Sequence, residues 1–217
     1  MDNTCRLSII FASCASVAVI FRRGPTNWCQ AIRWDTLTDR FESGQWLRGK
    51  VYPERCALSP DGELMVYFAL KKGHIDKANG YCREFTAVSR PPYFTALALW
   101  PWGSTWGGGG YFDDEKTLVL ASRFIPEPHP KHLPQKLRVL PHTGVLNRKS
   151  VPPKSMLHQT AQPSESIKGM DQQGRKIVIV SGVLFEIKPS GERNVLRDFN
   201  GEVPEPVECP PSRSCWP

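Results

Sequence analysis

The chain has 217 residues, with 28 Lys plus Arg against 21 Asp plus Glu, a formal net charge of +7 with histidine neutral. At 40% hydrophobic and 10% aromatic residues it can bury a core of single-domain size, which excludes wholesale disorder. Twenty prolines and 17 glycines exclude a helical bundle, because both weaken or break helix interiors while turns and strand ends use them well. The chain therefore reads as all-β.

Seven cysteines lie at 5, 14, 29, 56, 82, 209 and 215, an odd set with no CxxC pair. A disulfide framework wants an even set in a short secreted chain, so reduced and mostly buried thiols are expected, and with them a cytoplasmic location. The uncharged stretch from Leu7 to Phe21 follows Arg6, and Phe11-Ala12-Ser13-Cys14 faintly resembles a bacterial lipoprotein cleavage box. Asp2 cancels the charge of Arg6 and Val17 to Phe21 continues as a good β-strand, so a buried first strand is the expectation. No run reaches the roughly 18–20 apolar residues of a membrane-spanning helix.

Along the chain, Trp28 to Asp35, a turn at 36–39 and Arg40 to Glu42 form a predicted hairpin. Three later stretches share one pattern, a turn rich in Asp, Gly or Lys opening into an apolar strand. They are Leu58 to Glu63 before Leu64 to Leu70, Phe112 to Lys116 before Thr117 to Ala121, and Met170 to Arg175 before Lys176 to Val180. A spacing of about 55 residues points to repeated β-sheet units. In Pro60-Asp61-Gly62, proline presets φ and glycine supplies positive φ, a strong hairpin signal. Further strands are predicted at Phe85 to Val88, Phe94 to Trp100, Val183 to Ile187 and Val195 to Phe199. Continuous apolar runs such as Leu64 to Leu70 predict strands buried on both faces. No segment holds a 3.6-residue apolar period, so helix content should be low.

Residues 1–200 read as one β-repeat domain. Its excursion at about 126–170 carries much of the charge: residues 126–176 hold nine Lys or Arg against three acids. One short strand or hairpin is expected there, at Leu137 to Leu140 and Gly144 to Leu146, with part of the excursion mobile. Residues 201–217 form a Pro-rich tail, expected to be poorly ordered unless Trp216 docks.

The Leu58-Ser59-Pro60-Asp61-Gly62 turn with its strand, and the unit from Gly182 through Gly191 to Asp198-Phe199, resemble blades of WD40- or TolB-type β-propellers. That resemblance implies an antiparallel β-repeat forming a small or partial β-propeller-like fold; only three or four units fit in this length, so stacked antiparallel sheets are the alternative. The Arg22-Arg23-Gly24-Pro25 to Gly107–Gly110 region also resembles a group of uncharacterised bacterial proteins with RRGP, GQW, SPDG, SRPP and WGGGG-type motifs, a resemblance that implies no activity.

Six of the seven tryptophans lie between 28 and 106, and Trp100, Trp102 and Trp106 sit beside four glycines. Exposed Trp, Tyr and Arg make good interface anchors, which points to a protein-binding surface of Arg90, Tyr93, Trp100, Trp102 and Trp106, with Arg22, Arg23, Trp28 and Trp46 as second candidates. The competing reading is that Trp100 and Trp106 cap the core while the glycines allow close packing. The glycine run lacks the following Lys-Ser or Lys-Thr of a phosphate loop.

Asp113, Asp114 and Glu115 sit at a predicted turn, where acids serve solvation and turn geometry. His129 and His132 are three apart among prolines without ligand-like spacing, and Cys209 and Cys215 lack a second pair, so no metal or cofactor is expected. No GxSxG elbow is present and no catalytic residue is legible. The leading expectation is a non-enzymatic protein-binding module, with an immunity- or inhibitor-type role toward a bacterial toxin as its narrower form. A second is a nucleic-acid or anionic-surface binder using Lys131, Lys136, Arg138, Arg148, Lys149 and Lys154. A third is a hydrolase assembled from Asp61, Asp113, Asp114 and a histidine.

Overall fold

The structure is a computed structural model that describes residues 4–142, 156–158 and 167–217, those at 156–158 and 167–168 by backbone alone. It is all-β, and its only helical pieces among the described residues are three short 3-10 turns, Pro53–Arg55, Lys77–Asn79 and Pro211–Arg213. No described helix is long and apolar enough to cross a membrane.

Strands β1 (Arg6–Phe11), β2 (Val17–Arg23), β3 (Trp28–Asp35) and β4 (Arg40–Val51) form an antiparallel meander. The first half of β4 pairs with β3, and its last residues, Gly49 to Val51, pair with β6 (Met65–Lys71). The two-residue β5 (Ala57–Leu58) continues the same position beside β6, which is followed by β7 (Glu84–Ser89) and β8 (Ala98–Pro101). A third unit holds β9 (Gly110–Phe112), β10 (Thr117–Leu120) and β11 (Arg138–Pro141), where β10 and β11 make a parallel pair. Strand β12 (Met156–His158) adds to the edge of β1, and β13 (Ile167–Met170), β14 (Lys176–Val180), β15 (Val183–Ile187) and β16 (Arg193–Asp198) form the fourth unit.

These four units pack face to face, as the two-residue side-chain period of a strand requires when both faces are apolar. On β2, Ala18 and Ile20 join Trp34 and the fourth unit's Ile177, Ile179 and Leu184 in one core, while Val19 and Phe21 join Met65, Tyr67 and Ala87 in a second. On β6, Met65 and Tyr67 face that second core, and Val66 faces a third with Trp100, Leu118 and Leu120. The stack therefore runs fourth unit, first, second, third. The run Leu64 to Ala69 is continuously apolar because it lies between two cores.

All three turn-plus-strand repeats prove to be the hairpins that join the first two strands of units two, three and four. Each turn has its own aspartate acting on the backbone. Asp61 Oδ1 accepts from the N–H of Glu63 at 3.0 Å, Asp114 Oδ1 from Lys116 at 2.7 Å, and Asp171 Oδ1 from Gln173 and Arg175 at 3.0 and 2.8 Å. The corresponding turn of the first unit, residues 12–16, has no aspartate and is built by its neighbours instead. Gln172 donates to the Ala12, Ala15 and Val17 oxygens within 3.0 Å, and Cys14 N–H donates to Pro60 O at 2.9 Å. The first-unit turn is thus the hub on which the second- and fourth-unit turns converge.

One expectation is corrected. The strand predicted at Phe94 to Trp100 is confined to Ala98–Pro101, because the preceding residues are held by side chains. Phe94 N–H donates to Gln45 Oε1 at 2.7 Å and Phe94 O accepts from Tyr67 Oη at 2.7 Å. For the tail at 201–217 the alternative holds: Trp216 docks on the third core, so the tail is laid against the body. Gly144 to Leu146 lies outside the described residues.

Candidate functional site

The residues expected to form one protein-binding surface are divided by the structure into three environments. Trp100 is fully buried in the third core and presents no ring to a partner, a correction that follows from its place on β8 between two sheets. Tyr93 is buried, its hydroxyl donating to Glu42 Oε1 at 3.2 Å.

Arg22 is 2% exposed. Its Nε donates to Phe199 O at 2.6 Å and its Nη2 to Glu202 O at 3.1 Å, while Nη1 bonds Gly24 O. The guanidinium also lies over the Trp46 ring, 5.2 Å from its centroid. With its amide turned to suit its neighbours, Gln30 donates to Glu202 Oε2 at 2.7 Å and accepts from Trp46 Nε1 at 3.3 Å. Arg90 pairs with Glu63 and donates through Nη1 to Ser212 O at 3.0 Å. Arg22, Trp46 and Arg90 are therefore engaged by residues 202–217 or their direct contacts. Of the other second candidates, Arg23 is exposed and Trp28 is half-buried.

Trp102 and Trp106 sit on the loop between β8 and β9, and the glycines there are a packing device. Trp102 Nε1 donates to Thr86 Oγ1 at 2.6 Å, and Gly109 N–H donates to the same oxygen at 2.7 Å. Gly108 and Gly109 have φ of +92° and +89°, and a Cβ on them would run into the Phe68 ring and the Arg55 oxygen respectively. Arg55 Nη1 then donates to the carbonyls on either side of Trp106, Thr105 O at 2.9 Å and Gly107 O at 2.8 Å. The loop is clamped at its flanks and its tip, Trp106, is 81% exposed.

Ala121 N–H bonds Gly109 O at 2.9 Å, so the chain leaves the β9–β10 hairpin on the same side as the tryptophan loop enters it. Three residues on lie Phe124, 70% exposed, and Ile125, also exposed. Sequence reasoning missed both, although two large apolar residues between Arg123 and Pro126 have no alternating partners and do not read as a strand.

Lys131, Lys136 and Arg138 of the basic segment are exposed, and Lys136 Nζ donates to Pro217 O at 2.8 Å. Arg148, Lys149 and Lys154 lie outside the described residues. Asp113, Asp114 and Glu115 line an open hollow with Pro60, Lys116, Thr117 and Arg138. Asp114 is held below the ordinary carboxylate range by its bonds to the Lys116 N–H and the Thr117 hydroxyl, the condition of a turn-former. Among the described residues no group of three or more His, Cys, Asp or Glu could hold a metal ion.

The histidines contribute a structured feature that spacing alone did not reveal. His132 Nδ1 donates to Ala96 O at 3.0 Å, leaving Nε2 to accept from Tyr81 Oη at 2.9 Å. His129 stacks on the Tyr81 ring at 4.0 Å, donates from Nε2 to Asn79 O at 2.7 Å, and accepts the Lys131 N–H at Nδ1. The pair fixes the 126–132 segment to the loop between β6 and β7, beside a cleft of about 350 Å³ floored by Tyr67, Phe85, Phe94 and Leu99. Burial lowers the His132 pKa, which favours its neutral ring as a hydrogen-bonding strut.

No family model matches the chain, and neither the curated proteins nor the solved structures contain a match to it.

Proposed function

We propose that the protein is a non-enzymatic, propeller-like module that binds another protein, with Trp106 at the centre of the contact. The observation that carries this reading is the clamp by Arg55 on both carbonyls flanking an 81% exposed indole. A tryptophan on a clamped backbone loses less backbone entropy on binding and supplies a large apolar face, the combination favoured at interface hot spots. Phe124 and Ile125, exposed on the segment that leaves β10 beside Gly109, are further apolar residues that could join the contact. The aspartates of the turns are committed to backbone bonds, which supports binding rather than hydrolysis. The propeller-like reading is supported by the way the first strands of the units approach one another, β1 with β5 and β5 with β9, with β12 bridging from β1 to β13. An immunity- or inhibitor-type role toward a bacterial toxin is the narrower form of the same reading.

The test is partner capture by wild type and by Trp106→Ala with Phe124→Ala, at low and high salt. Truncating a hot-spot tryptophan costs about 2 kcal/mol or more, roughly thirtyfold in affinity. Capture that persists at high salt and falls by that factor in the variant supports the reading. Capture abolished by salt and by Lys131→Ala with Arg138→Ala, yet indifferent to Trp106, would assign function to the basic segment instead.

A further inference from the structure

Residues 202–217 cross the body as a strap, extended ahead of the short Pro211–Arg213 turn and held by its own carbonyl oxygens. Glu202 O accepts from Arg22 Nη2 at 3.1 Å, Val207 O from Gln45 Nε2 at 3.2 Å, Ser212 O from Arg90 Nη1 at 3.0 Å and Pro217 O from Lys136 Nζ at 2.8 Å. The accepting positions are five residues apart each time, and the donors come from β2, β4, the turn after β7 and the segment before β11. Prolines at 204, 206, 210 and 211 offer no N–H to a sheet ladder, and Pro210 has φ −64° and ψ 151°, the polyproline II conformation.

The strap's side chains contribute at its ends. Glu202 pairs with Arg197 at 2.8 Å, and Trp216 packs on the third core. Between them Val203, Glu205, Pro206, Glu208 and Ser212 are exposed. A row of donors that reads spaced carbonyls recognises a backbone shape more than a sequence, and any extended, proline-rich segment with an acid near one end and an aromatic near the other presents the same features.

We propose that this row of donors, Arg22, Gln45, Arg90 and Lys136, is a binding site for proline-rich, extended segments of a partner protein, for which residues 202–217 are the intramolecular occupant. The site is separate from the Trp106 surface and does not depend on it. The occupant in cis competes at the high effective concentration of a tethered segment, so binding in trans is weak until the strap is loosened.

The experiment titrates the full-length protein into a fluorescently labelled synthetic peptide of residues 201–217 and reads anisotropy. Trp216→Ala removes the strap's aromatic anchor and should bind the peptide about tenfold more tightly than wild type. Adding Arg90→Ala, or replacing all five prolines of the peptide (Pro204, Pro206, Pro210, Pro211 and Pro217) by alanine, should reverse that gain. Absence of peptide binding to folded Trp216→Ala, or equal binding of the proline-free peptide, overturns the proposal. Should Trp216→Ala fail to fold, Arg213→Ala, a change within the strap whose guanidinium reaches Pro91 O at 3.5 Å and Glu63 at 3.9 Å, loosens it without altering the donors and must show the same gain, its absence being equally decisive. A dimer that forms by exchange of tails, seen in size-exclusion chromatography, would make a second copy the occupant and overturn the partner assignment.

Discussion

Arg90 and Ser212 are 122 residues apart in sequence, yet the Arg90 guanidinium donates to the Ser212 carbonyl at 3.0 Å while its other arm pairs with Glu63. One side chain of the second unit thus ties the C-terminal strap to the turn that opens β6. Arg90→Ala removes a charge-assisted bond and leaves both acceptors without it, at a cost of about 1–3 kcal/mol. Urea unfolding should show that loss, and limited proteolysis should cut first within 202–215. An unchanged cleavage pattern would mean that the strap is held elsewhere.

Arg175 joins the fourth unit to the first. It pairs with Asp39 at 2.8 Å and with the buried Asp171 carboxylate at 2.7 Å, and donates to Thr36 O at 2.6 Å. These bonds hold its pKa above even the usual arginine value. Arg175→Met keeps the aliphatic stem and strips Asp171 of its countercharge, so destabilisation of about 2–4 kcal/mol is expected. Arg175→Lys should recover little, since a single ammonium cannot span three acceptors. Equal stability of Lys and wild type by chemical denaturation would contradict the geometry.

Acid should loosen the histidine strut. Burial is the first cause that depresses His132 below its ordinary 6.5, with the Ala96 bond opposing and the His129 and Lys131 charges assisting. The native state binds the proton less well than the unfolded chain, so the contribution of this ring is complete above pH 6.5 and is lost as pH falls from there through the depressed value. His132→Asn keeps a donor for the Ala96 oxygen without the titrating ring, and its unfolding free energy should fall less steeply below pH 6.5 than that of wild type. Superimposable pH profiles would remove His132 from the account.

The thiols should separate into two kinetic classes. Burial pushes Cys5 up to about 11, Cys29 up to about 12 and Cys56 well above its ordinary value, whereas Cys14 and Cys215 are exposed. A thiol-reactive dye should label Cys14 and Cys215 at once in the native protein and reach Cys5, Cys29 and Cys56 only on unfolding. Fast labelling of Cys29 without denaturant would contradict the packing of the second core.

The fold was most legible where local chemistry and tertiary structure agree. Pro60-Asp61-Gly62 and Met170 to Arg175 build their turns from their own side chains, so residue identity announces the hairpins. Ala12 to Ser16 makes an equivalent hairpin with no such signature, because its carbonyls are satisfied by Gln172, 155–160 residues away. The strand predicted from Phe94 failed for the same reason: Gln45 and Tyr67, distant in sequence, take the backbone groups a ladder would have used. At the candidate site, the cluster of Trp102 and Trp106 was visible, but only packing could distinguish buried Trp100 from exposed Trp106. The strap over Arg22 and Arg90 was hidden by proline content that reads as disorder, and Trp216 was the one residue in it that hinted at docking.

The most direct test of the account is photo-crosslinking from a benzophenone amino acid placed at position 106 in one protein and at position 46 in another, each with the captured partner present. Position 106 should form an adduct with the partner, and position 46 an internal adduct with the strap near Glu202. An adduct with the partner from position 46 and none from position 106 would contradict the assignment of the contact surface.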